Sequence, residues 1–463
     1  MSINHHELAV GFLAGRVLGG GTRSVHCYQG DFWEWNGKVY QLLPKSRLKQ
    51  QLLRWLQSSN GLTDPRVSDD VFTWVDAILT TESLPRMPMW LPGSDSDTPY
   101  TPEEIGHEWL LLSNGILDVT MLASNQVVLR PMSPRWFSSV LIPHPYRVDA
   151  ECPQWCRAMG DWMSGDGELV SFLQEFVGYC LVPDTSHDLA LFLEGEGSNG
   201  KTTFSSLVEA LVGRENCSAV PLEHWTKAFE LASTLGKLVN FATETDGNRP
   251  LPSNRLKSFI SGDTFTFPIK YKPIGITAQP TARLIISWNR RPRVTDESDG
   301  FWRRVQLVPW RRQFSREDRD ENLENKLKAE LPGILRWAVA GLCRLRSQGK
   351  FTQPEAVTSV TECYRLEADP IRAFVKEFLE RRDEGLIPKD DVYECFREWC
   401  YDLDVKPADR AVFCKGVLHQ LPGVSVVRVR TPTSRMQSFT GIGWTHAGLR
   451  LLAEKGPTED VNV

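Results

Sequence analysis

The alternation of apolar and polar residues predicts a small sheet near the start of the chain. In residues 31–43, two alternating runs flank Asn36-Gly37, a dipeptide typical of tight hairpin turns. Two amphipathic stretches follow, over residues 47–56 and 70–79, and their spacing predicts helices. The next stretch, residues 84–102, is rich in proline and predicts a loop.

The middle of the chain alternates short apolar runs with helical segments. A helix predicted over residues 166–181 leads to an apolar strand at residues 189–193. From there to residue 347 the pattern is typical of an α/β domain with a mainly parallel sheet. Near its end, a charged helix is predicted to begin near Arg316 and to break at Pro332-Gly333.

The last hundred residues predict three helices and then two strands, at residues 424–429 and 438–442. This order suits a winged helix. Between residues 405 and 444 the sequence has one acid, Asp409, and six cations, which are Lys406, Arg410, Lys415, Arg428, Arg430 and Arg435. Such local asymmetry predicts a DNA-binding wing, and an ordinary basic surface is the alternative.

These patterns divide the chain into five predicted segments. They are an N-terminal module with a hairpin and helices (1–110), a helical, collar-like domain (111–184), an α/β core (185–347), a winged-helix-like DNA-binding domain (348–450) and a flexible tail (451–463). A length of 463 residues fits several domains, because single cores stop growing well below this size.

Composition and charge limit the classes of protein to which the chain can belong. The net charge of -5 excludes a generally basic surface, so contact with nucleic acid must come from local clusters. The ten cysteines include no C-x-x-C pair, which favours reduced thiols over a zinc site. No apolar run is long enough to span a membrane, and we expect a cytoplasmic protein with no membrane partner.

A glycine-rich segment supplies the candidate chemistry. It follows the apolar strand at residues 189–193, fits G-x-x-x-x-G-K-[ST] and continues into a predicted helix, which is the context that a phosphate-binding loop requires. Backbone N–H groups of such a loop surround phosphate, Lys201 reaches the β and γ phosphates, and the hydroxyl of Thr202 binds Mg²⁺. The predicted binding residues for ATP are Gly195, Glu196, Gly197, Ser198, Asn199, Gly200, Lys201, Thr202 and Thr203.

Two later strands end in polar residues that suit nucleotide hydrolysis. The apolar run at residues 237–242 precedes Glu244 and Asp246, which we predict to hold metal or activate water. The run at residues 282–288 ends at Asn289, whose amide is a candidate sensor of the γ phosphate. Surface acids at an ordinary strand end are the alternative for the first pair, and the residues do not decide which acid does which task.

A pair of arginines, Arg303 and Arg304, follows the second of these strands. An arginine placed on the γ phosphate of a neighbouring subunit stabilises charge in the transition state. A solvated basic turn is the alternative.

Four of these signatures in order resemble the superfamily 3 helicases, and specifically the phage and plasmid primase-helicase family related to the poxvirus primase-helicase. The resemblance rests on LEGEGSNGKTTF, LVNFATETD, the long block from Leu256 to Pro292, and DGFWRRVQLVPW. It extends over roughly residues 110–445. The long block is the most specific part, since a phosphate-binding loop alone is common to many ATPases.

The resemblance implies an AAA+ hexamer that encircles one DNA strand and translocates 3′ to 5′. It implies Lys201 and Thr202 on phosphate and Mg²⁺, Glu244 and Asp246 as the acidic motif with Glu244 as a metal ligand, Asn289 as the sensor, and Arg303 or Arg304 as the arginine acting in trans. It also implies a channel hairpin within residues 264–279. There Lys270, Tyr271 and Lys272 combine cations with an aromatic ring, a chemistry that suits a DNA strand.

The chain departs from the family pattern in one respect, and two alternative functions stay open. Only about 110 residues precede the shared region, without a strand of paired aspartates, so we expect any primase or polymerase activity to come from a separate protein. The first hypothesis is a replicative helicase acting on single-stranded and forked DNA of a phage, plasmid or mobile element. The alternatives are an ATP-switched, origin-binding initiator with little processive unwinding, and an ATP-gated signalling or defence oligomer.

Overall fold

The computed structural model describes residues 4–92, 108–122, 124, 126–227, 229–242, 251–270, 275–289, 291–292, 294, 299–403, 405–430 and 435–454. The chain forms two compact units. The larger one comprises Met1–Pro292 and Arg303–Thr358, and the smaller one comprises Arg293–Trp302 and Ser359–Val463.

The larger unit begins with small antiparallel sheets and helices. Its elements are α1 (His5–Ala14), β1 (Val25–Tyr28), β2 (Asp31–Trp35), β3 (Tyr40–Leu43), α2 (Lys45–Asn60), α3 (Pro65–Thr81), β4 (Met89–Trp90), β5 (Trp109–Leu112), β6 (Gly115–Asp118), α4 (Val119–Leu122), β7 (Leu129–Arg130) and β8 (Trp136–Phe137). The predicted hairpin is confirmed, since β2 pairs with β3 and the Asn36 side chain accepts hydrogen bonds from the N–H groups of Lys38 and Val39. The two helices predicted after it are confirmed as α2 and α3.

Residues 109–137 form strands where a helical domain was predicted from residue 111. The reason is visible in β5 and β6, which are buried along their whole length, because a short, fully apolar run has no period that distinguishes a strand from a helix. Strand β4 pairs with β8, and the Trp90 ring packs against Trp109 and Trp136. The predicted boundary at residue 110 therefore crosses a continuous packed region.

The second part of the chain contains the predicted parallel sheet. Its elements are α5 (Pro153–Trp162), α6 (Gly167–Tyr179), β9 (Ala190–Glu194), α7 (Lys201–Val212), β10 (Cys217–Ser218), β11 (Val239–Ala242), α8 (Ser253–Ile260), β12 (Phe265–Phe267), β13 (Ile276–Ala278), β14 (Arg283–Trp288), α9 (Asp299–Trp302), β15 (Val305–Pro309), α10 (Leu323–Ala329) and α11 (Leu331–Gln348). Five strands form a sheet in the order β10-β11-β14-β9-β15, and every pairing is parallel. The carboxyl ends of all five strands therefore meet at one edge, where α/β sheets bind ligands.

The charged segment after β15 differs from its prediction. The helix begins at Leu323 as α10, not near Arg316, and Pro332 lies in the first turn of α11. Residues 311–322 instead cross the glycine-rich loop, where the Phe314 N–H donates to the Ser198 carbonyl over 3.0 Å. Within the stretch predicted as helix, Arg319 also donates to the Ser198 hydroxyl. These contacts hold the segment against the loop in place of the helix predicted from near Arg316.

The smaller unit contains α9 and the elements that follow the start of α12. After α12 (Glu355–Ala368) come α13 (Pro370–Phe378), β16 (Leu379–Pro388), α14 (Lys389–Asp402), α15 (Arg410–Gln420), β17 (Ser425–Arg430), β18 (Arg435–Trp444) and α16 (His446–Glu454). The two predicted strands are confirmed as β17 and β18, and they form an antiparallel sheet in the order β16-β18-β17. Sequence reasoning missed β16, whose charged residues between Leu379 and Ile387 give no strand pattern.

Among the described residues, no helix has both the length and the apolar character needed to cross a bilayer.

Candidate functional site

The glycine-rich loop lies at the carboxyl edge of the parallel sheet, between β9 and α7. Gly200 precedes the helix with φ of 95°, and a Cβ there would lie 2.4 Å from the Trp162 indole nitrogen. A Cβ at Gly195 would lie 2.4 Å from the Trp310 carbonyl oxygen. The two ends of the loop thus require glycine for conformation and for space.

Lys201 lies at the centre of this loop and is nearly buried. Its Nζ donates to the carbonyl oxygens of Gly195 and Glu196, and to the Oδ1 of Asn199 over 3.3 Å. The Asn199 side chain is itself fixed, because its Nδ2 donates to the Trp310 carbonyl over 3.2 Å. The loop therefore wraps around an ammonium group at a helix N-terminus, an arrangement that suits a phosphate anion.

Asn289 joins this group from a neighbouring strand. Strand β14 pairs with β9 so that Trp288 lies opposite Glu194, and the next residue, Asn289, places its Oδ1 3.4 Å from the Lys201 Nζ. The structure therefore brings the predicted sensor and the predicted phosphate-binding lysine together. Thr202 is exposed in the first turn of α7, where its hydroxyl is accessible to a metal ion, and Thr203 lies beside it.

The predicted acidic motif follows β11, the strand next to β14. Ala242 is the last residue of β11 and pairs with Ile286, so the chain leaves the sheet at the same edge as the glycine-rich loop. Glu244 and Asp246 lie outside the described residues, and their roles stay predictions.

The two candidate arginines lie at the amino-terminal ends of the strands, opposite the glycine-rich loop, and they differ in their surroundings. Arg304 is buried, and its guanidinium donates to Asp188 over 3.0 Å and to the Ser261 hydroxyl over 2.9 Å through Nε. Arg303 is exposed. Neither can reach the glycine-rich loop of its own chain, since Val305 pairs with Ala190 at the start of both strands.

The predicted hairpin is present as β12 and β13, which pair from Phe265–Ala278 to Phe267–Ile276. Lys270 lies beyond β12 and is exposed. Tyr271 and Lys272 lie outside the described residues.

Sequence reasoning missed two cations that contact the loop region. Arg291 forms a bidentate ion pair with Glu194, the last residue before the loop, with 3.0 Å between its Nη2 and Oε2. Arg319 donates to the hydroxyl of Ser198 at the tip of the loop. The position of Arg291 two residues after Asn289 is a signal that could have identified it, whereas nothing in the sequence connects Arg319 to a loop 121 residues earlier.

The segment that carries Arg319 covers the loop at several points. Besides the Phe314 contact, the Gln313 side chain donates to Glu196 over 2.9 Å. Arg312 binds Asp161 of α5 over 2.8 Å. We call residues 311–322 the crossing segment.

A cavity of about 670 Å³ lies between the loop, α5 and the crossing segment. Ser198, Gly200 and Thr203 line one side, and Phe314 and Arg319 line another. This volume is within the range of small-molecule and cofactor sites. It opens directly onto the first turn of α7, so a ligand whose phosphates lie in the loop would place its other end in this cavity.

Carboxylates at the rim of the cavity are held ionised. Hydrogen bonds from the Lys326 side chain and the Asn322 N–H lower the pKa of Asp320. Hydrogen bonds from Lys328 and Ser206 lower the pKa of Glu324. The rim therefore presents hydrogen-bond acceptors to a ligand, while the loop presents donors.

Parts of the chain are similar to two protein families and to several viral proteins. Residues 193–304 match a family of unknown function, and residues 366–422 match a family described as poxvirus D5 protein-like. The curated protein "Putative helicase 022R" of Frog virus 3 is 27% identical over 247 residues, which is 46% of this chain and 24% of that protein. "Putative helicase L207/L206" of Acanthamoeba polyphaga mimivirus is 24% identical over 268 residues, which is 50% of this chain and 27% of that protein.

The fold is similar to a solved structure. The apo A form of the NrS-1 C-terminal region superposes with a TM-score of 0.55 at 11% identity, covering 95% of this chain and 100% of that one. The present chain spans about a quarter of the length of the two curated relatives described above.

A glycine-rich loop between a strand and a helix, at the carboxyl edge of a parallel sheet, defines a protein of the phosphate-binding-loop class. Within that class, residues 366–422 are similar to the poxvirus D5-like family, and about half of the chain is similar to viral proteins named as putative helicases. The NrS-1 C-terminal region has a similar fold.

Proposed function

We propose that this chain is an ATP-driven DNA helicase whose subunits assemble into a ring. The observation that carries the proposal is the contact between Lys201 and Asn289, which brings a phosphate-binding loop and a polar sensor to one edge of the sheet. The sheet order, with β9 between β14 and β15, supports an AAA+ core. The curated viral relatives named as helicases support the activity.

In this proposal the site binds ATP with Mg²⁺. Lys201 exchanges its contacts with the loop carbonyls for the β and γ phosphates, and the backbone N–H groups of Gly195 to Thr203 surround them. Thr202, exposed at the first turn of α7, and Glu244 would hold the metal ion, which would neutralise charge on the phosphates. Asp246 or Glu244 orients the attacking water, and Asn289 holds the γ phosphate in line.

The nucleoside end of ATP enters the cavity beside α5. Its acceptor-rich rim suits the hydroxyl groups of ribose and an exocyclic amino group. Arg319, already hydrogen-bonded to Ser198, is then a positioning residue for the phosphate nearest the ribose.

The arginine that acts in trans is assigned to Arg303. Arg304 is bonded to Asp188 and Ser261 of its own chain, whereas the exposed Arg303 extends from the sheet edge opposite the loop. A site that receives its last cation from the next subunit hydrolyses ATP only in an assembly, which supports a homo-hexameric ring. Stabilisation of transition-state charge is the role of such an arginine.

The hairpin between β12 and β13 is proposed to contact the translocating DNA strand. The exposed Lys270 supports this role, and Lys272 and Tyr271 complete a group in which cations pair with phosphates and a ring stacks on a base. Translocation is proposed to run 3′ to 5′, and a separate primase or polymerase is a proposed partner.

The smaller unit is proposed to be a winged-helix-like DNA-binding domain. Its order, helix, strand, two helices and two strands, and its sheet order β16-β18-β17 support this assignment. The second candidate function is an ATP-switched initiator that binds an origin. A strong contribution of this domain to DNA binding would favour it.

Unwinding of forked DNA tests the proposal. We expect the wild-type chain to hydrolyse ATP faster with single-stranded DNA and to unwind a fork with a 3′ tail. Lys201→Ala should abolish both, while Lys270→Ala with Lys272→Ala should keep basal hydrolysis and lose stimulation and unwinding. Lys257→Ala, in α8 before the hairpin, is the matched control. Stimulated hydrolysis without unwinding would favour the initiator, and normal unwinding by the double variant would refute the role of the hairpin.

A further inference from the structure

Helix α9 belongs to the smaller unit and ends one residue before Arg303, the arginine proposed to act in trans. The chain leaves the smaller unit at Trp302 and enters the larger unit at Arg303. The next residue, Arg304, is fixed to the larger unit, because its carbonyl accepts from the Ala190 N–H over 2.8 Å and its guanidinium is bonded to Asp188. The backbone of Arg303 is therefore determined by the residues on both sides of it, since each residue has only two soft backbone dihedrals.

Aromatic rings anchor the last turn of α9 within the smaller unit. Phe301 is fully buried, and Trp302 is 4% exposed. The Trp302 ring meets the ring of Tyr364, in α12, with 5.2 Å between the centroids and nearly at a right angle, an arrangement that stabilises aromatic pairs. Tyr364 is itself buried. The residue that precedes Arg303 is therefore held by a buried contact with α12.

The first residue of α9 is a carboxylate between two arginines. The Asp299 side chain accepts from Arg365 of α12 and from Arg372 of α13, the second over 3.3 Å. Burial and the charge of Arg372 lower the pKa of Arg365, as expected for two guanidinium groups that lie close together. Asp299 is a counter-ion that they share, although its side chain is 82% exposed. Loss of its charge should therefore release α9 from both helices and leave two cations facing each other.

The helix α13, to which Asp299 is bonded, is part of the core of the smaller unit. Arg372 lies in its first turn, where the Asp369 side chain accepts from the Arg372 N–H over 3.0 Å. Further along the same helix, the ring of Phe374 contacts the rings of Phe396 and Phe413, with centroids 5.5 Å and 5.9 Å away. The ion pairs of α9 therefore attach it to packed elements.

We infer that Asp299 and the contact between Trp302 and Tyr364 position Arg303 for its action on the ATP of a neighbouring subunit. The inference rests on the proposed function, in which Arg303 stabilises charge in the transition state at that ATP. Asp299 and Tyr364 are positioning residues, because they act through the backbone of Arg303. A misplacement of about 1 Å at a catalytic group costs on the order of a hundredfold in rate, so an ion pair on the smaller unit controls hydrolysis at another subunit.

Asp299→Ala tests the inference in the full chain. We expect kcat for ATP hydrolysis to fall about tenfold to a hundredfold, while KM for ATP is retained, because the arginine acts on the transition state. The melting temperature should stay near its wild-type value, since exposed ion pairs contribute little to stability.

Mixing with Lys201→Ala subunits separates a positioning role from a structural one. Activity of Asp299→Ala subunits should be restored in the mixture, because their intact loop then receives Arg303 from a neighbour whose α9 is intact. A structural defect would stay with the Asp299→Ala chain and would not be rescued. The double variant Asp299→Ala with Arg303→Ala should be no slower than Arg303→Ala alone, because both changes remove the same interaction.

Two further variants serve as controls. Asp383→Ala removes an exposed carboxylate of β16, in the same unit, that pairs with Arg381 over 3.6 Å, and kcat should not change. Asp299→Glu keeps the charge and should retain more activity than Asp299→Ala.

The mixing experiment also separates this inference from the proposed function. Rescue of Arg303→Ala without rescue of Asp299→Ala would overturn the inference and leave the proposed function standing, and so would an unchanged kcat in Asp299→Ala or an equal loss in Asp383→Ala. Failure of mixing to rescue either variant would refute the action of Arg303 in trans, and with it this inference.

Discussion

The Lys201 Nζ lies 3.4 Å from the Oδ1 of Asn289, although 88 residues separate them in the chain. The parallel pairing of β9 with β14 produces this contact, because both residues follow the carboxyl ends of adjacent strands. The amide is therefore positioned to act on the phosphate that the lysine binds.

Replacement of the sensor should affect the rate of hydrolysis more than ATP binding. We expect Asn289→Ala to lower kcat about a hundredfold, the size of effect seen when one donor to developing charge is removed, with little change in KM. Steady-state ATP hydrolysis measures both. Asn325→Ala, an exposed amide in α10, is the control. A changed KM with normal kcat would assign Asn289 to binding instead.

The two arginines should separate in a mixing experiment. Arg303→Ala should lower hydrolysis by about a thousandfold, as for an arginine that acts in trans, and should regain activity when mixed with Lys201→Ala subunits. The mixed ring combines an intact loop with an intact arginine.

Arg304→Ala should instead destabilise the chain, by about 1 to 3 kcal/mol, because it removes the buried guanidinium that donates to both Asp188 and Ser261. Thermal melting measures this loss. Activity restored by mixing Arg304→Ala but not Arg303→Ala would reverse the assignment.

The crossing segment should control affinity for ATP. Arg319→Ala removes a charged donor beside Ser198, and we expect KM for ATP to rise about tenfold or more, the value of a hydrogen bond to a charged group, while kcat is retained. Arg316→Ala removes an exposed arginine of the same segment and should leave KM unchanged. Equal effects of the two substitutions would mean that general charge, not the Ser198 contact, matters.

His26 should make stability depend on pH. Burial lowers the pKa of His26 from 6.5 to about 4, although the hydrogen bond from its Nε2 to the Arg23 carbonyl opposes this shift. Between pH 6.5 and about 4, the His26 ring therefore stays neutral in the folded state, whereas it binds a proton in the unfolded chain. We expect the contribution of His26 to the free energy of unfolding to be constant above pH 6.5 and to fall as the pH is lowered towards 4.

Denaturant unfolding over this range measures the effect. His26→Gln keeps an N–H donor without a titrating ring and should make the dependence shallower. His419→Gln, at an exposed position, should not. An unchanged slope in His26→Gln would assign the dependence to other groups.

The local elements of the site could be predicted from the amino-acid sequence. Glycines at positions 195 and 200 with Lys201, between an apolar run and a helical one, predicted the loop and its helix, since short-range sterics and periodicity define such a unit. The hairpin at Asn36-Gly37 was predictable for the same reason, whereas the hairpin within residues 264–279 was expected only from the family resemblance. Asn289 was predictable as a strand end, and the rule that parallel strands end at one edge made its position near Lys201 an expectation.

The contacts between distant segments became visible in the folded chain and could not be predicted. The sequence left Arg303 and Arg304 equivalent, and burial of Arg304 against Asp188 separates them. The second half of the crossing segment was predicted as the start of a charged helix near Arg316, yet the segment contacts Glu196 and Ser198 and the helix begins only at Leu323. Contacts between residues more than a hundred positions apart depend on how whole elements pack, and local sequence patterns do not predict that packing.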